Sequence, residues 1–262
     1  MVSNETDIIS VNINYQGRQL ELCTRYKAAG DELILFLHGL GCTKESFDDA
    51  FGFASLADYR LLAPDLVGYG DSSKPQDFSY SMEDQAEIIS LLLENVDTER
   101  IHIIAHSMGG AIGLLLAERI PDRVASFVNI EGNLIAEDCG LVSRKTAEIP
   151  FEKFRDNVFD KLRSKGPRPW RELSVKSDAL AVHKSSVSLV EWSDSEKLLE
   201  IFLNLTARKL YIYGDQNADM PIIARLGGIK KTAISNSGHF VMNDNPAEFY
   251  EAVSEAVSGR IP

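Results

Sequence analysis

Residues 100–117, Arg-Ile-His-Ile-Ile-Ala-His-Ser-Met-Gly-Gly-Ala-Ile-Gly-Leu-Leu-Leu-Ala, limit the fold more than any other stretch. Ile101, Ile103 and Ile104 form a short β-branched run, the pattern of a strand buried on both faces. Beyond Ser107, Ala111, Leu114, Leu115 and Leu116 recur at helical spacing until Pro121 stops the run. Between the two lies Ala105-His106-Ser107-Met108-Gly109, where the chain must turn from strand to helix within about two residues. Such a turn imposes strained dihedrals on Ser107 and admits only small neighbours. It also lifts the serine hydroxyl clear of the sheet, above the free N–H groups of a helix N-terminus. The plain alternative is a serine that caps a buried helix.

The remaining chain alternates strand and helix. Residues 8–13 and 19–25 flank Tyr15-Gln-Gly17-Arg as a β-hairpin, and Leu33–Leu37 is an apolar strand ending in His38-Gly39-Leu40-Gly41. A short helix is expected around 47–55, with Ser46 as its cap. A strand over 60–65 then leads into the turn-rich loop Leu66–Pro75. Ser81 opens a helix reaching about Asn95, and Val124–Ile130 is a strand ending in Glu131-Gly132-Asn133. Strands resume at 208–213 and 231–235, and Pro246 starts a last helix. This order predicts an α/β fold with a mostly parallel eight-stranded sheet covered by helices on both faces. Residues 134–206 are charged, helical in spacing and broken at Gly166-Pro-Arg-Pro169. They read as a helical cap inserted into a core of 1–133 and 207–262, with Trp170, His183 and Trp192 packed inside it.

A chain of 262 residues with a net charge of −12 and a pI near 4.9 is poorly suited to nucleic acid or anionic membranes. The polar, acidic N-terminus lacks a leader pattern, and no apolar run approaches the about 18 residues of a membrane span. The three cysteines, Cys23, Cys42 and Cys139, lie far apart and form no metal-ligand cluster. A cytoplasmic protein acting on a small molecule is expected, with no metal and no cofactor. The sequence is silent on oligomeric state.

A serine hydroxyl needs a base to become nucleophilic. Of five histidines, His102 alternates with buried isoleucines, His38 belongs to a glycine turn and His106 sits within the turn itself. His239 follows the last strand, at the sheet edge that also holds Ser107, where open α/β sheets place their sites. His38-Gly39, Asp65-Leu-Val-Gly68-Tyr-Gly70-Asp-Ser72, Ala105-His-Ser107-Met-Gly109 and Gly238-His239-Phe240 followed by Pro246 together resemble the α/β-hydrolase superfamily. The match is in order and spans nearly the whole chain outside the cap. Ala105 stands where the elbow usually has glycine. The resemblance implies that Ser107 is the nucleophile and His239 the general base and acid. It also implies that the Leu40 and Met108 amides form the oxyanion hole.

The third triad member departs from the common pattern. Many relatives carry the acid on a Gly-x-x-Asp turn after the strand that follows the cap. Here that turn is Gly214-Asp215-Gln216-Asn217, with a neutral amide in the acid's place. Some branches of the superfamily place the acid at the end of the strand after the elbow helix, which is where Glu131 stands. Glu131 is therefore preferred to Asp219 or Asp215, against the alternative of a carboxylate that caps the Gly132-Asn133 turn. Asp65 and the Gly68/Gly70 loop are read as shaping the wall of the site. The implied activity is hydrolysis of a small carboxylic ester or thioester through an acyl-enzyme on Ser107. Carbon–carbon bond hydrolysis and perhydrolysis share that triad, although Leu40-Gly41 lacks the proline often found in perhydrolases. A ligand-binding sensor on the same fold remains an alternative of another class.

Overall fold

The computed structural model describes residues 6–140 and 142–260. The N-terminal residues 1–5, which carry part of the reading on leader sequences, lie outside that range. So do residue 141 of the helical segment and residues 261–262 of the expected core.

Eight strands form one sheet in the order β1-β2-β4-β3-β5-β6-β7-β8. They are β1 (Thr6–Tyr15), β2 (Arg18–Lys27), β3 (Leu33–Leu37), β4 (Arg60–Pro64), β5 (Ile101–His106), β6 (Val124–Ile130), β7 (Arg208–Gly214) and β8 (Lys230–Ile234). The first two make the expected hairpin, with Gln16 and Gly17 both at positive φ (50° and 77°) in its two-residue turn. β2 pairs antiparallel with β4, and every later pairing is parallel. Successive residues of the central strands serve opposite faces. Leu33, Leu35 and Leu37 join one apolar cluster with helices α1 (Met82–Leu93) and α2 (Met108–Arg119). Ile34 and Phe36 join a second cluster, which holds Phe249 and Val253 of the last helix. That two-sided burial is why β3 reads as an unbroken apolar run and β5 as a β-branched run interrupted by His102.

Between β6 and β7 the chain runs through α3 (Ser143–Ala147), α4 (Phe159–Lys165), α5 (Arg168–Leu173), α6 (Ala179–Asp194) and α7 (Lys197–Asn204). No strand occurs among its described residues. Asp178 caps α6 by accepting from Leu180 N and Ala181 N, at 2.9 and 3.1 Å. The last helix, α8, spans Pro246–Val257. No helix among the described residues is long and apolar enough to cross a membrane.

The expected helix at 47–55 is instead a pair of tight 3₁₀ segments, Lys44–Gly52 and Ala54–Leu56. Asp65 is the cause, since it accepts from both Lys44 N and Lys44 Nζ at 2.7 Å and so draws the start of the helix back to Lys44. Ser46 is then an interior residue whose Oγ has no partner, and the cap position falls to Thr43.

Candidate active site

At the end of β5 the backbone takes φ 53° and ψ −121° at Ser107 before α2 begins. A non-glycine residue at positive φ is strained, and the neighbouring strand holds it there. Ser107 N donates to Ile130 O at 3.0 Å, and Gly110 N donates to Ser107 O at 2.8 Å. The demand for small neighbours is tangible at Gly109, where a Cβ would stand 2.4 Å from the Leu37 carbonyl oxygen. Ser107 Oγ makes no hydrogen bond to a described residue, and the serine lines a cavity.

The ladder explains why a carboxylate on the neighbouring strand can reach the site. β5 and β6 pair in the register His106↔Ile130, so Ser107 and Glu131 leave the sheet side by side. Glu131 is the second non-glycine residue held at positive φ here (41°), fixed by its own N–H on Ile212 O at 3.0 Å. Its side chain is only 2% exposed. Glu131 Oε2 lies 2.7 Å from His239 Nδ1, and Oε1 accepts from Gly214 N at 2.8 Å. Asn217 Nδ2 donates to both carboxylate oxygens, at 2.9 and 3.0 Å. The amide at the expected acid position thus steadies the acid and does not touch the histidine. Asp215 is spent on its own loop, accepting from Asn236 N and Ser237 N, and Asp219 is exposed.

His106 braces the histidine loop from below. Burial, then the neighbouring His239, hold its ring well below the usual imidazole range, so it is neutral. Its Nε2–H donates to His239 O at 2.9 Å. Nδ1 is left buried without a partner beside Gly39, where a Cβ would approach it to 2.9 Å. His38 fixes the same turn from the other side: Leu66 N donates to its Nε2, and its Nδ1–H donates to Gly39 O.

The carbonyls of that turn are held from the helical segment. Trp170 Nε1 donates to Leu40 O at 2.8 Å, and Ser177 Oγ donates to Gly41 O at 3.0 Å. Gly41 sits at φ 72° with the indole so close that a Cβ would meet it at 2.8 Å. Leu40 N has no acceptor among the described residues, and Met108 N is a free first-turn amide of α2. These are the two donors that the sequence resemblance assigns to an oxyanion.

Ser107 and His239 share a cavity of about 290 Å³ whose walls are largely apolar, with Leu40, Leu162, Trp170, Leu189 and Phe240 among them. Four of its lining residues, Asn133, Asp138, Val142 and Ser143, come from the stretch just after β6. A larger depression of about 880 Å³ between Thr43, Arg168 and Asn243 includes neither Ser107 nor His239.

Asp65 and its loop do not line this cavity, contrary to the sequence reading; they carry the helical segment. Gly68 O accepts from Asp178 N, and Tyr69 Oη donates to Ala181 O. Cys23, Asp65 and Asp71 bring ligand-type atoms within 4.8 Å of one another. The Lys44 ammonium supplies the positive charge there, 2.7 Å from Asp65 and 3.2 Å from Asp71. Burial alone would lower the Lys44 ammonium, but the Asp65 hydrogen bond and charge, with Glu45 behind them, raise it above its ordinary value.

Comparison with known proteins decides the family. A model of the alpha/beta hydrolase fold matches residues 32–245. The chain belongs to the α/β-hydrolase fold family. An uncharacterized protein of Mycobacterium bovis is 24% identical to it over 259 residues, covering 86% of this chain and 75% of that one. Lipase 1 of Psychrobacter immobilis is 38% identical over 99 residues, 37% of this chain and 30% of that one. An esterase from Exiguobacterium antarcticum superposes with a TM-score of 0.77 at 17% identity, covering 95% of this chain and all of that one, a likeness of fold.

Within this α/β-hydrolase the sequence reading missed the parts played by Asn217, His106, Trp170 and Ser177. A signal existed for Asn217, since an amide in an acid's place beside a displaced acid invites the question of what it donates to. None existed for Trp170, because an aromatic residue in a helical stretch reads as packing.

Proposed function

We propose that the protein is a serine hydrolase that cleaves a small carboxylic ester or thioester through an acyl-enzyme on Ser107. The observation that carries this reading is the 2.7 Å contact of His239 Nδ1 with buried Glu131, beside a strained serine in a shared cavity. Donating its Nδ1–H to Glu131 Oε2 fixes the tautomer in which His239 Nε2 is free to take the Ser107 proton. Ser107 Oγ attacks the carbonyl carbon while His239 takes that proton, and the oxygen that gains charge is met by Leu40 N–H and Met108 N–H. Collapse expels the alcohol or thiol, which receives the proton from His239. Water then attacks the acyl-enzyme, its proton passing to His239 and on to Ser107 as the acid departs. The charge on oxygen exists only in the transition state, so each fixed donor is worth ~10²–10³ in rate. Residues 134–206 act as a cap that closes the cavity and sets which acyl groups enter. The esterase and lipase among the relatives favour ester over carbon–carbon bonds as the substrate.

Ser107→Ala tests the proposal. The wild type should react with a fluorophosphonate and release p-nitrophenol from the acetate ester in a burst. The variant should do neither, while melting within a few degrees of wild type. Unchanged turnover in the variant would refute the mechanism, and absence of both reactions in the wild type would favour a ligand-holding protein.

A further inference from the structure

The cavity wall contains polar side chains that the reaction outlined above does not use, Asn133, Asp138, Ser143 and Lys165, and the first two each carry an oxygen without a donor among the described residues. Asp138 Oδ2 is fixed by Leu134 N–H at 2.8 Å and Ile135 N–H at 3.1 Å. Its other oxygen, Oδ1, has no hydrogen bond or ion pair among the described residues. Lys165, the cation that also lines the cavity, forms no salt bridge with it. Asn133 is 3% exposed, and its Nδ2 donates to Cys139 Sγ at 3.4 Å. That donation turns Asn133 Oδ1 away from the sulfur, and it too lacks a donor among the described residues. Neither oxygen is sealed off in the core, since both residues line the space that Ser107 faces. Two acceptors with no donor among the described residues, in a largely apolar cavity with Leu40, Leu162, Leu189 and Phe240 in its wall, form an incomplete polar set.

We propose that Asp138 Oδ1 and Asn133 Oδ1 form a two-acceptor subsite that selects esters carrying an O–H or N–H donor over donor-free esters of the same shape. The inference rests on Ser107 as the reacting group and adds the substrate class. Each O–H or N–H of a substrate satisfies one of these oxygens, whereas an alkyl ester must strip water from them and give nothing back. Burial, with Glu137 and Glu131 adding to it, pushes the Asp138 carboxyl up to about 6, as expected of a carboxylate short of donors. A site that must hydrogen-bond its substrate discriminates far more sharply than an apolar pocket does.

Binding to the Ser107→Ala variant, measured by calorimetry, tests the subsite without turnover. Two isosteric pairs are compared, each exchanging a hydroxyl for a methyl. Methyl β-hydroxybutyrate is set against methyl isovalerate for the acyl side, and the monoacetate of propylene glycol against isobutyl acetate for the alcohol side. The hydroxy ester should bind at least about tenfold more tightly in one of the two pairs. In the Ser107→Ala/Asp138→Asn protein that ratio should fall to about one or below. The backbone N–H groups would hold the amide oxygen at the Oδ2 place and turn its NH₂ into the cavity. Equal affinity in both pairs, no binding of either hydroxy ester, or a ratio that Asp138→Asn leaves untouched would overturn the proposal. If the double variant misfolds, the two pairs on Ser107→Ala alone decide. Fluorophosphonate labelling of the wild type reports separately on the hydrolase mechanism, so the two failures are distinguishable.

Discussion

Glu131 accepts hydrogen bonds from three residues at once, Gly214, Asn217 and His239, on only two oxygens. A glutamine there has one acceptor oxygen and would turn an NH₂ towards one of those donors. Glu131→Gln should therefore lower kcat by up to ~10⁴, the loss seen when a triad carboxylate becomes an amide, with KM changed little. Asp219→Asn, on an exposed side chain, should stay within a few-fold of wild type in the same steady-state assay. Asp138 gives a second prediction at this scale, in stability. Its carboxyl titrates near 6 when folded and near 4 when unfolded, so the folded state binds the proton more tightly. Stability is complete below about pH 4, is lost as the pH rises to about 6, and is flat above that. Asp138→Asn removes that loss, so its melting temperature relative to wild type should climb between those pH values, by an amount corresponding to about 3 kcal/mol. A constant difference across the range would show that the carboxyl titrates normally. Glu131 was legible in the sequence because the usual acid position held an amide while a carboxylate ended the preceding strand. The placement of Asp138 was not, since it depends on how the turn after β6 folds back over the cavity.

Among the elements, the 39–42 turn and α5 behave as one unit. Trp170 reaches from α5 to the carbonyl of Leu40, a cavity-lining residue whose own N–H has no acceptor among the described residues. Trp170→Phe keeps most of the ring packing and removes the indole donor, leaving the buried carbonyl only the weak Cys42 thiol donor at 3.7 Å, at a cost of about 1–3 kcal/mol. The proposed oxyanion donor would then be less well aimed. The expected outcome is a fall of about tenfold in kcat on an acetate ester, larger than any rise in KM, with a melt lowered by several degrees. An unchanged kcat with a lowered melt would reduce Trp170 to packing. The same link shows why the short helix after β3 was misplaced from sequence. Local periodicity could not foresee that Asp65, 21 residues on, would claim both the amide and the ammonium of Lys44.

For the molecule as a whole, all eight strands were legible: the central ones because burial on both faces leaves an apolar run, and the β1–β2 hairpin because its half-exposed strands alternate in polarity around a turn. The short helical turns Pro221–Arg225 and Val241–Asp244 went unseen, since four or five residues hold too little of a 3.6-residue period to register. The register of β6 was equally silent in sequence, yet it is what sets Glu131 beside Ser107. That arrangement bears on how the protein is made. Ser107 and Glu131 leave the ribosome early, but the partners of Glu131 follow 83, 86 and 108 residues later, at Gly214, Asn217 and His239. Until those arrive, a strand that belongs inside the sheet ends in a carboxylate that must stay in water. On the proposed mechanism the general base is also among the last residues made, so a growing chain would gain hydrolytic activity only after His239 has emerged.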